Sequence, residues 1–532
     1  MNFFLTSTAS YPTHDSSPIF IGCIENQVAL QISLTQVILD EYQIITFDST
    51  LLVEFCRKQG LTPPTNIIDV FQLFKLIEGS PQKLHKLSYQ KLIWIIFKRF
   101  FDNEQLKLVI DVLGYTSAKI ISTNSIDKLI QFNIYLQEVY KNLLSELKVR
   151  NEADRFYTIE KPFNEILCQR QFRGIHVSNK ILSEKIDFAK AELNMLAKKL
   201  RYDYNIFSPQ NITEIRHALQ NAKYDYLSKS INTKSFWGFI KSGAEHDEFL
   251  NLLYTSYRLR FDKQNLIKII TEKDGVVYPI FDCCGTITSR ALVRLPFIQQ
   301  LKKNFRTIFV AKDGYELLYA DYSQFEPGIL ASLANDPALI NCYNTADLYN
   351  SLSVELIGNE SSRTLCKIIF LSFMYGMSNK GLEYLIKDFF KDKSNVNVSD
   401  INLFFSKFKS LIPYKLELET LALKENKISS SLGNHRYFKT KSTKVLPSKV
   451  KRWILSQKIQ GTASLILKTA IINCIQDQEI EFLIPMHDAA LFQVPAGKLE
   501  EKKIVIKKEF TDAFTTYCPK IKPKVIFKDF TE

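Results

Sequence analysis

Apolar and polar positions alternate along this chain in two rhythms, and each rhythm places elements. Residues 27–32 and 43–47 read as short strands. Residues 50–59 and 68–77 read as helices, separated by Gly60 and the breaker Pro63-Pro64. From 126 to 147, apolar residues recur every three or four positions, which predicts a long amphipathic helix. Residues 180–201 and 246–270 predict two more helices, rich in alternating charge. Such helices can reach out and grip a nucleic-acid backbone, although solvated helix faces give the same pattern. Past Val276 the texture changes. The run ELLYA (316–320) leads directly into Asp321, and EFLIPM (481–486) leads into His487-Asp488. Residues 491–494 read as a return strand, and 391–399 as the most linker-like stretch. There is no internal repeat and no low-complexity segment.

Composition narrows the class. At 532 residues the chain is too long for one ordinary core, so two or more domains are expected. Hydrophobic residues make up 46% and charged residues 23%, as in a soluble globular protein. No apolar run approaches the ~18 residues a membrane span needs, and the start, MNFFLTSTASYPTH, lacks a basic n-region. The nine cysteines include no C-x-x-C pair and no zinc spacing, which reads as reduced, intracellular thiols. The formal net charge of +13 suits a polyanionic partner. The bias toward Lys, Asn, Ile and Phe fits an A/T-rich genome.

The chemistry starts with Asp321 and Asp488. Each follows an apolar strand, and strand ends on one sheet rim can converge with their carboxylates exposed. Two such carboxylates can hold two Mg²⁺ ions ~3.5–4 Å apart, one activating a hydroxyl and one steadying a leaving pyrophosphate. Between them, Arg363, Lys367, Leu371 and Tyr375 are spaced by four. On a helix each such step drifts only about 40°, so the four share one stripe against which a triphosphate could lie.

Around these residues stand four ordered signatures: DYSQFEPGILASLANDPALI from Asp321, RTLCKIIFLSFMYGMSNKGL from Arg363, QKIQGTASLILKTAI, and MHDAALFQV. They resemble motif A, motif B, the glutamine-bearing helix and motif C of family A DNA polymerases, over about residues 150–532. The resemblance implies Asp321, Asp488 and the Tyr322 backbone carbonyl as ligands of two Mg²⁺ (Mn²⁺ as a substitute), and Lys367 as proton donor to pyrophosphate. It implies dNTP contacts from Arg363, Lys367, Leu371, Tyr375, Gln324 and Glu326, with Glu326 excluding a 2′-hydroxyl. Primer–template contacts fall to Arg452, Ser456, Gln460 and His487. Thr288-Ser289-Arg290 resembles a Thr-Gly-Arg segment whose arginine reaches the minor groove, and Gln299-Gln300 resembles a template-contacting Gln-Asn. Donors in that groove can test pair geometry without reading sequence.

This chain departs from the family pattern in places. Leu371 stands where Phe or Tyr is usual, which removes a flat stacking surface. Tyr349 replaces a histidine, Ser456 an asparagine, Pro327-Gly328 a Leu-Arg, and Ala489 a glutamate beside Asp488.

The resemblance implies an α/β, right-hand polymerase over 146–532. The thumb falls at about 150–285, the palm at about 286–340 and 441–532, and the fingers at about 341–440. Residues 1–145 occupy the place of a ribonuclease H-like 3′–5′ exonuclease domain. Proofreading of that type needs about four carboxylates around two metals, and only Asp48 and Asp69 sit in faintly matching segments. The expectation is a degenerate, structural domain. The expected reaction is addition of dNTPs to a primer 3′-hydroxyl on template DNA. A single-subunit RNA polymerase and an inactive DNA-binding scaffold are the alternatives. Glu326 and the Gln-Gly-Thr helix weigh against the first, and retention of Asp321, Arg363, Lys367 and Asp488 against the second. The short form and biased composition suggest a phage or other mobile replicon in a bacterial cytoplasm. The sequence names no processivity partner.

Overall fold

The computed structural model describes every residue except 8–19, 80–88, 108, 110–122, 223, 233–235, 245–246, 273–274, 361, 391–396, 439–445 and 532. The first sheet is built from β1 (Asn2–Ser7), β2 (Phe20–Ile24), β3 (Leu30–Ile32), β4 (Gln43–Thr46) and β5 (Ile67–Asp69). Their order is β3-β2-β1-β4-β5. β1 runs antiparallel to β2 and parallel to β4, which runs parallel to β5. This mixed sheet is consistent with the ribonuclease H-like fold expected for the front third. Alternation along the strands sends Phe4, Ile45 and Ile68 to one core and Phe3, Leu5, Ile44 and Ile67 to another. Both faces are covered, so the strands carry apolar runs rather than a polar face.

Helices α1 (Ser49–Gln59), α2 (Val70–Glu78) and α3 (Thr123–Val149) flank this sheet. Asp48 caps α1 by accepting from the Thr50 amide at 2.9 Å, and Asp69 caps α2 by accepting from the Gln72 amide at 2.9 Å. Such caps contribute about 1 kcal/mol each. Gly60 (φ 68°) ends α1 in the left-handed region that only glycine adopts without strain. α3 buries Leu136, Val139 and Leu143 fully. Its buried Asn133 donates to the Phe4 and Ile21 carbonyls at 3.1 and 3.0 Å, tying helix to sheet.

Two boundaries differ from the sequence expectation. Residues 67–69 belong to β5, so the second helix begins at Val70, behind its Asp69 cap. β1 and β2 were not foreseen. Their apolar runs lack alternation because both sheet faces are buried, and the residues between them, 8–19, lie outside those described.

The long charged helices are α4 (Asn179–Tyr204), capped by Ser178, and α5 (Glu248–Ile267), capped by Asp247. They pack on each other. α4 buries only Leu182, Ala189, Leu196 and Leu200, which leaves most of its charge in solvent.

A second sheet holds β6 (Tyr315–Ser323), β7 (Glu481–Pro485), β8 (Ala489–Pro495) and β9 (Lys524–Lys528), in the order β7-β8-β6-β9 and all antiparallel. The helix Leu499–Tyr517 packs on this sheet, and helices α6 (Phe325–Leu333), α7 (Arg363–Met374) and α8 (Ser448–Cys474) share its core. One hydrophobic core joins these elements with α4 and α5. Of the linker-like stretch 391–399, residues 391–396 lie outside those described. The remainder opens the helix Val398–Ser406 behind a capping box of Asn397 and Asp400.

The front unit and the rest of the chain meet through buried charge. Lys75 of α2 lies 2.7 Å from Asp282, with each side chain 1% exposed. Arg294 reaches the same carboxylate at 3.2 Å.

Candidate active site

The sheet itself brings the two aspartates together. Asp321 pairs opposite Ala489 on β6 and β8. His487 and Asp488 form the turn between β7 and β8, closed by the Met486 amide donating to the Ala489 carbonyl at 2.8 Å. The Tyr322 amide donates to the Asp488 carbonyl at 3.0 Å. Asp321 therefore lies within its strand rather than at its end, and Asp488 lies in the adjoining turn. The Tyr322 side chain is buried, with its hydroxyl bonded to the Phe510 carbonyl at 2.7 Å. Only the Tyr322 backbone can serve the site.

Two basic groups lie against these acids. Arg290 lies 2.7 Å from Glu326 Oε1 and 3.7 Å from Asp488 Oδ1, bridging the first helical turn after β6 to the β7–β8 turn. The Tyr375 hydroxyl donates to the other oxygen of Glu326, and Gln460 joins the same hydroxyl. Burial, with Glu326 adjacent, pushes the Tyr375 phenol far above its ordinary range. Lys528 is the group that motif reading missed. It pairs opposite Tyr319, and positions two apart on a strand share a face, so it is a diagonal neighbour of Asp321. Its Nζ donates to Asp321 Oδ2 at 2.5 Å. Only the alternation in KVIFK at the C-terminus hints at an outward-facing lysine there.

Burial raises the Asp488 carboxyl to about 6; Arg290 opposes this, while Glu326 and Asp321 add to it. Asp488 Oδ1 is enclosed and has no hydrogen-bond partner. Two adjacent carboxylates, one with an unsatisfied oxygen and one neutralised by an ammonium, are a donor set suited to hard divalent cations.

α7 presents the expected stripe. Lys367 is exposed, Leu371 and Tyr375 are half-buried, and Cys366, Ile369 and Phe370 fill the core behind them. Arg363 is held by Asp347, with Nη2 at 2.7 Å and Nε at 3.2 Å from one oxygen. Its guanidinium lies 5.3 Å from the centre of the Tyr349 ring. Against the desolvation that raises it, the Arg363 hydrogen bond and the Asn350 amide hold Asp347 below the usual carboxylate range.

Two expected contact residues are committed elsewhere. The Gln324 side chain donates to Asp347 at 3.0 Å and accepts from the Leu348 amide at 2.8 Å, so it braces the Arg363 partner rather than presenting a free amide. Gln299 is buried. It accepts from the Val293 amide at 3.0 Å and donates to the Ala291 and Pro485 carbonyls at 3.2 and 2.6 Å. That spends its amide on the backbone leading to the Asp488 turn instead of on template. Gln300, Arg452 and His487 are exposed, and Ser456 and Gln460 are half-buried on α8. The Arg452 stem lies beside Gly376, at the end of α7.

In the front unit, β1 carries no carboxylate. Asp69 is buried, capping α2 and accepting from the Ser49 amide and hydroxyl at 2.8 Å each. Burial, with Asp48 adding to it, raises its carboxyl to about 6.

Among the described residues no helix is long and apolar enough to cross a membrane. The structure resembles the POL domain of Pol1 from M. smegmatis, solved in complex with DNA primer-template and dNTP. The TM-score is 0.77 at 19% identity, covering 100% of this chain and 96% of that one. At that identity the likeness establishes the fold. DNA polymerase I of Caldicellulosiruptor bescii is 25% identical over 431 residues, or 74% of this chain and 49% of that protein. DNA polymerase I of Borreliella burgdorferi is 24% identical over 416 residues, or 73% and 44%. The chain thus spans about half the length of the curated relatives it matches. The family model described as DNA polymerase family A matches residues 175–525, which takes in Asp321, Glu326, Arg363, Lys367 and Asp488. With the fold and the paired aspartates, that match makes this chain a member of DNA polymerase family A.

Proposed function

We propose that the protein is a DNA-directed DNA polymerase that adds dNTPs to a primer 3′-hydroxyl on template DNA. The observation that carries the reading is the juxtaposition of Asp321 and Asp488 across β6 and the β7–β8 turn, with Arg290 bridging Asp488 to Glu326. In this reading residues 1–145 form a nuclease-like unit without nuclease activity. Thumb, palm and fingers follow the boundaries set out above.

Asp321, Asp488 and the Tyr322 backbone would hold two Mg²⁺ or Mn²⁺ ions, which when bound activate the primer hydroxyl and neutralise the leaving pyrophosphate. Arg363 and Lys367 receive the triphosphate from one side of α7. Arg363 is parked on Asp347 and exchanges that carboxylate for phosphate oxygens, which match its forked donors equally well. Lys367, without an ion-pair partner among those described, is placed to give a proton to the departing pyrophosphate. Glu326, fixed from both sides by Arg290 and Tyr375, forms a wall beneath the sugar that leaves no room for a 2′-hydroxyl. Arg452, Ser456, Gln460, His487 and Gln300 contact the primer–template in this reading.

The test is primer extension with dNTPs and rNTPs in parallel. Wild type is expected to extend with dNTPs. Asp321→Ala and Asp488→Ala are expected to lose extension by at least about 10³-fold while binding duplex within a fewfold, because phosphate contacts dominate that affinity. Preference for rNTPs would favour the RNA polymerase reading. Duplex binding without extension by wild type would favour the scaffold.

A further inference from the structure

The segment that carries Arg290 has an unusual backbone. Ser289 adopts φ 61°, in the left-handed region that a side chain disfavours. The turn is otherwise tight: the Ser289 amide donates to the Thr286 carbonyl at 2.9 Å, and the Arg290 amide donates to the Thr286 hydroxyl at 2.9 Å. The next residue is the one whose guanidinium reaches both Glu326 and Asp488. The conformation of Ser289 therefore decides where Arg290 points.

Ser289 is 3% exposed, and its hydroxyl donates to Glu160 Oε1 at 3.0 Å. Its carbonyl accepts from Ser464 of α8 at 2.7 Å. Glu160 is itself the hub of a buried cluster. Lys468 lies 2.6 Å from it, Arg155 lies 3.3 Å from it, and the Cys283 and Cys284 thiols donate to Oε2 at 3.3 and 3.4 Å. It closes a π-helical turn, Phe156–Glu160, a local distortion that is common where a side chain must be aimed. The ligand atoms of Glu160, Cys283 and Cys284 fall within 4.8 Å of one another, which would suit a metal. The Lys468 ammonium already lies against Glu160 and 3.9 Å from Cys283, so the cluster supplies its own cation. What the cluster holds outward is the Ser289 hydroxyl.

We propose that Glu160, through its hydrogen bond to Ser289, locks the 286–290 turn in its left-handed form and so positions Arg290 on Glu326 and Asp488. Glu160 and Ser289 are positioning residues; neither touches substrate. The same segment is anchored upstream, where Asp282 is held by Lys75 and Arg294. A glycine at 289 would adopt the conformation unaided, whereas an alanine would keep the steric penalty and lose the lock. This contrast separates a locking role from simple packing.

The inference rests on the polymerase reading, and two measurements keep the two apart. In primer extension, Ser289→Ala is expected to lower kcat about ten- to a hundredfold, the loss that misplacing a site group produces. It should also narrow discrimination against ribonucleotides, because Glu326 loses a fixed partner, while duplex affinity changes less than about twofold. Ser289→Gly is expected to recover most of the rate and the discrimination. Ser289→Ala behaving as wild type would overturn the proposal. So would equal losses in both variants, since the hydroxyl would then act otherwise than through the shape of the turn. Independently of activity, hydrogen exchange at the backbone amides of positions 289 and 290 in folded Ser289→Ala is expected to speed up at least about tenfold as the turn opens. Unchanged exchange overturns the proposal even if the variant is too unstable to assay. An inactive wild type would refute the polymerase reading and leave the exchange result standing.

Discussion

Lys528 and Glu326 illustrate how much of this site lies in side-chain pairing. Lys528 holds an oxygen of Asp321, proposed above as a metal ligand, with its ammonium, while 42% of its own side chain stays exposed. A partly exposed ion pair contributes up to about 1 kcal/mol, so Lys528→Ala is expected to lower the Mg²⁺ concentration needed for half-maximal extension by up to about fivefold. A Mg²⁺ titration of both proteins measures this, and an unchanged or raised requirement would refute the competition. Glu326 is gripped at both oxygens, by Arg290 and by Tyr375. With Glu326 proposed as the wall beneath C2′, Glu326→Ala is expected to raise ribonucleotide over deoxynucleotide incorporation at least about tenfold, or about 1.4 kcal/mol of discrimination. Parallel single-nucleotide incorporation reads the ratio, and a flat ratio would assign the gate elsewhere.

Among the elements, β1 of the first sheet carries no carboxylate, and the nearby Asp48 and Asp69 sit at helix starts. Asp48 caps α1, while Asp69 caps α2 and accepts from the Ser49 amide and hydroxyl, so both carboxylates are committed to structural hydrogen bonds. No degradation of a 3′-mismatched strand is therefore expected with Mg²⁺ or Mn²⁺, and nuclease activity abolished by Asp48→Ala would contradict that. Asp69 also makes the stability of this unit depend on pH. Its folded-state carboxyl titrates near 6, above its ordinary value of 3.8, so folding favours the protonated form. That contribution is complete below about pH 4 and is lost as pH rises through 6. Melting of Asp69→Asn is expected to vary less between pH 5 and 7.5 than that of wild type, as differential scanning calorimetry would report.

Across the whole molecule, charge is distributed by function. The site is acidic at its centre, whereas the net charge is +13. Much of α4 is solvated, with Lys180, Lys185, Lys190 and Lys198 along it. A duplex held by such helices through its phosphates is bound with little sequence preference. Neutralising roughly five phosphates gives a slope of log K against log salt of about −4 to −5. Binding isotherms on scrambled primer–templates at several salt concentrations measure it. A slope near zero, or a strong preference for one sequence, would point to a specific DNA-binding scaffold.

The amino-acid sequence alone made several of the long helices and the family legible. The three- and four-residue spacing placed α3, and charge-rich helical composition placed α4 and α5, each to within a few residues, because both signals are local. The motifs around Asp321, Arg363, Lys367 and Asp488 were legible because each is a contiguous string whose residues act together. Tertiary structure decided what depends on partners distant in the chain. It put Lys528 beside Asp321 through strand pairing and gave Asp347 to Arg363. It turned Gln299 and Gln324 from contact residues into braces, because their amides met backbone groups that burial leaves no water to satisfy. It also set Ser289 at a positive φ against Glu160, a pairing that no periodicity records, since the two residues meet only when the π-helical turn and α8 close around them.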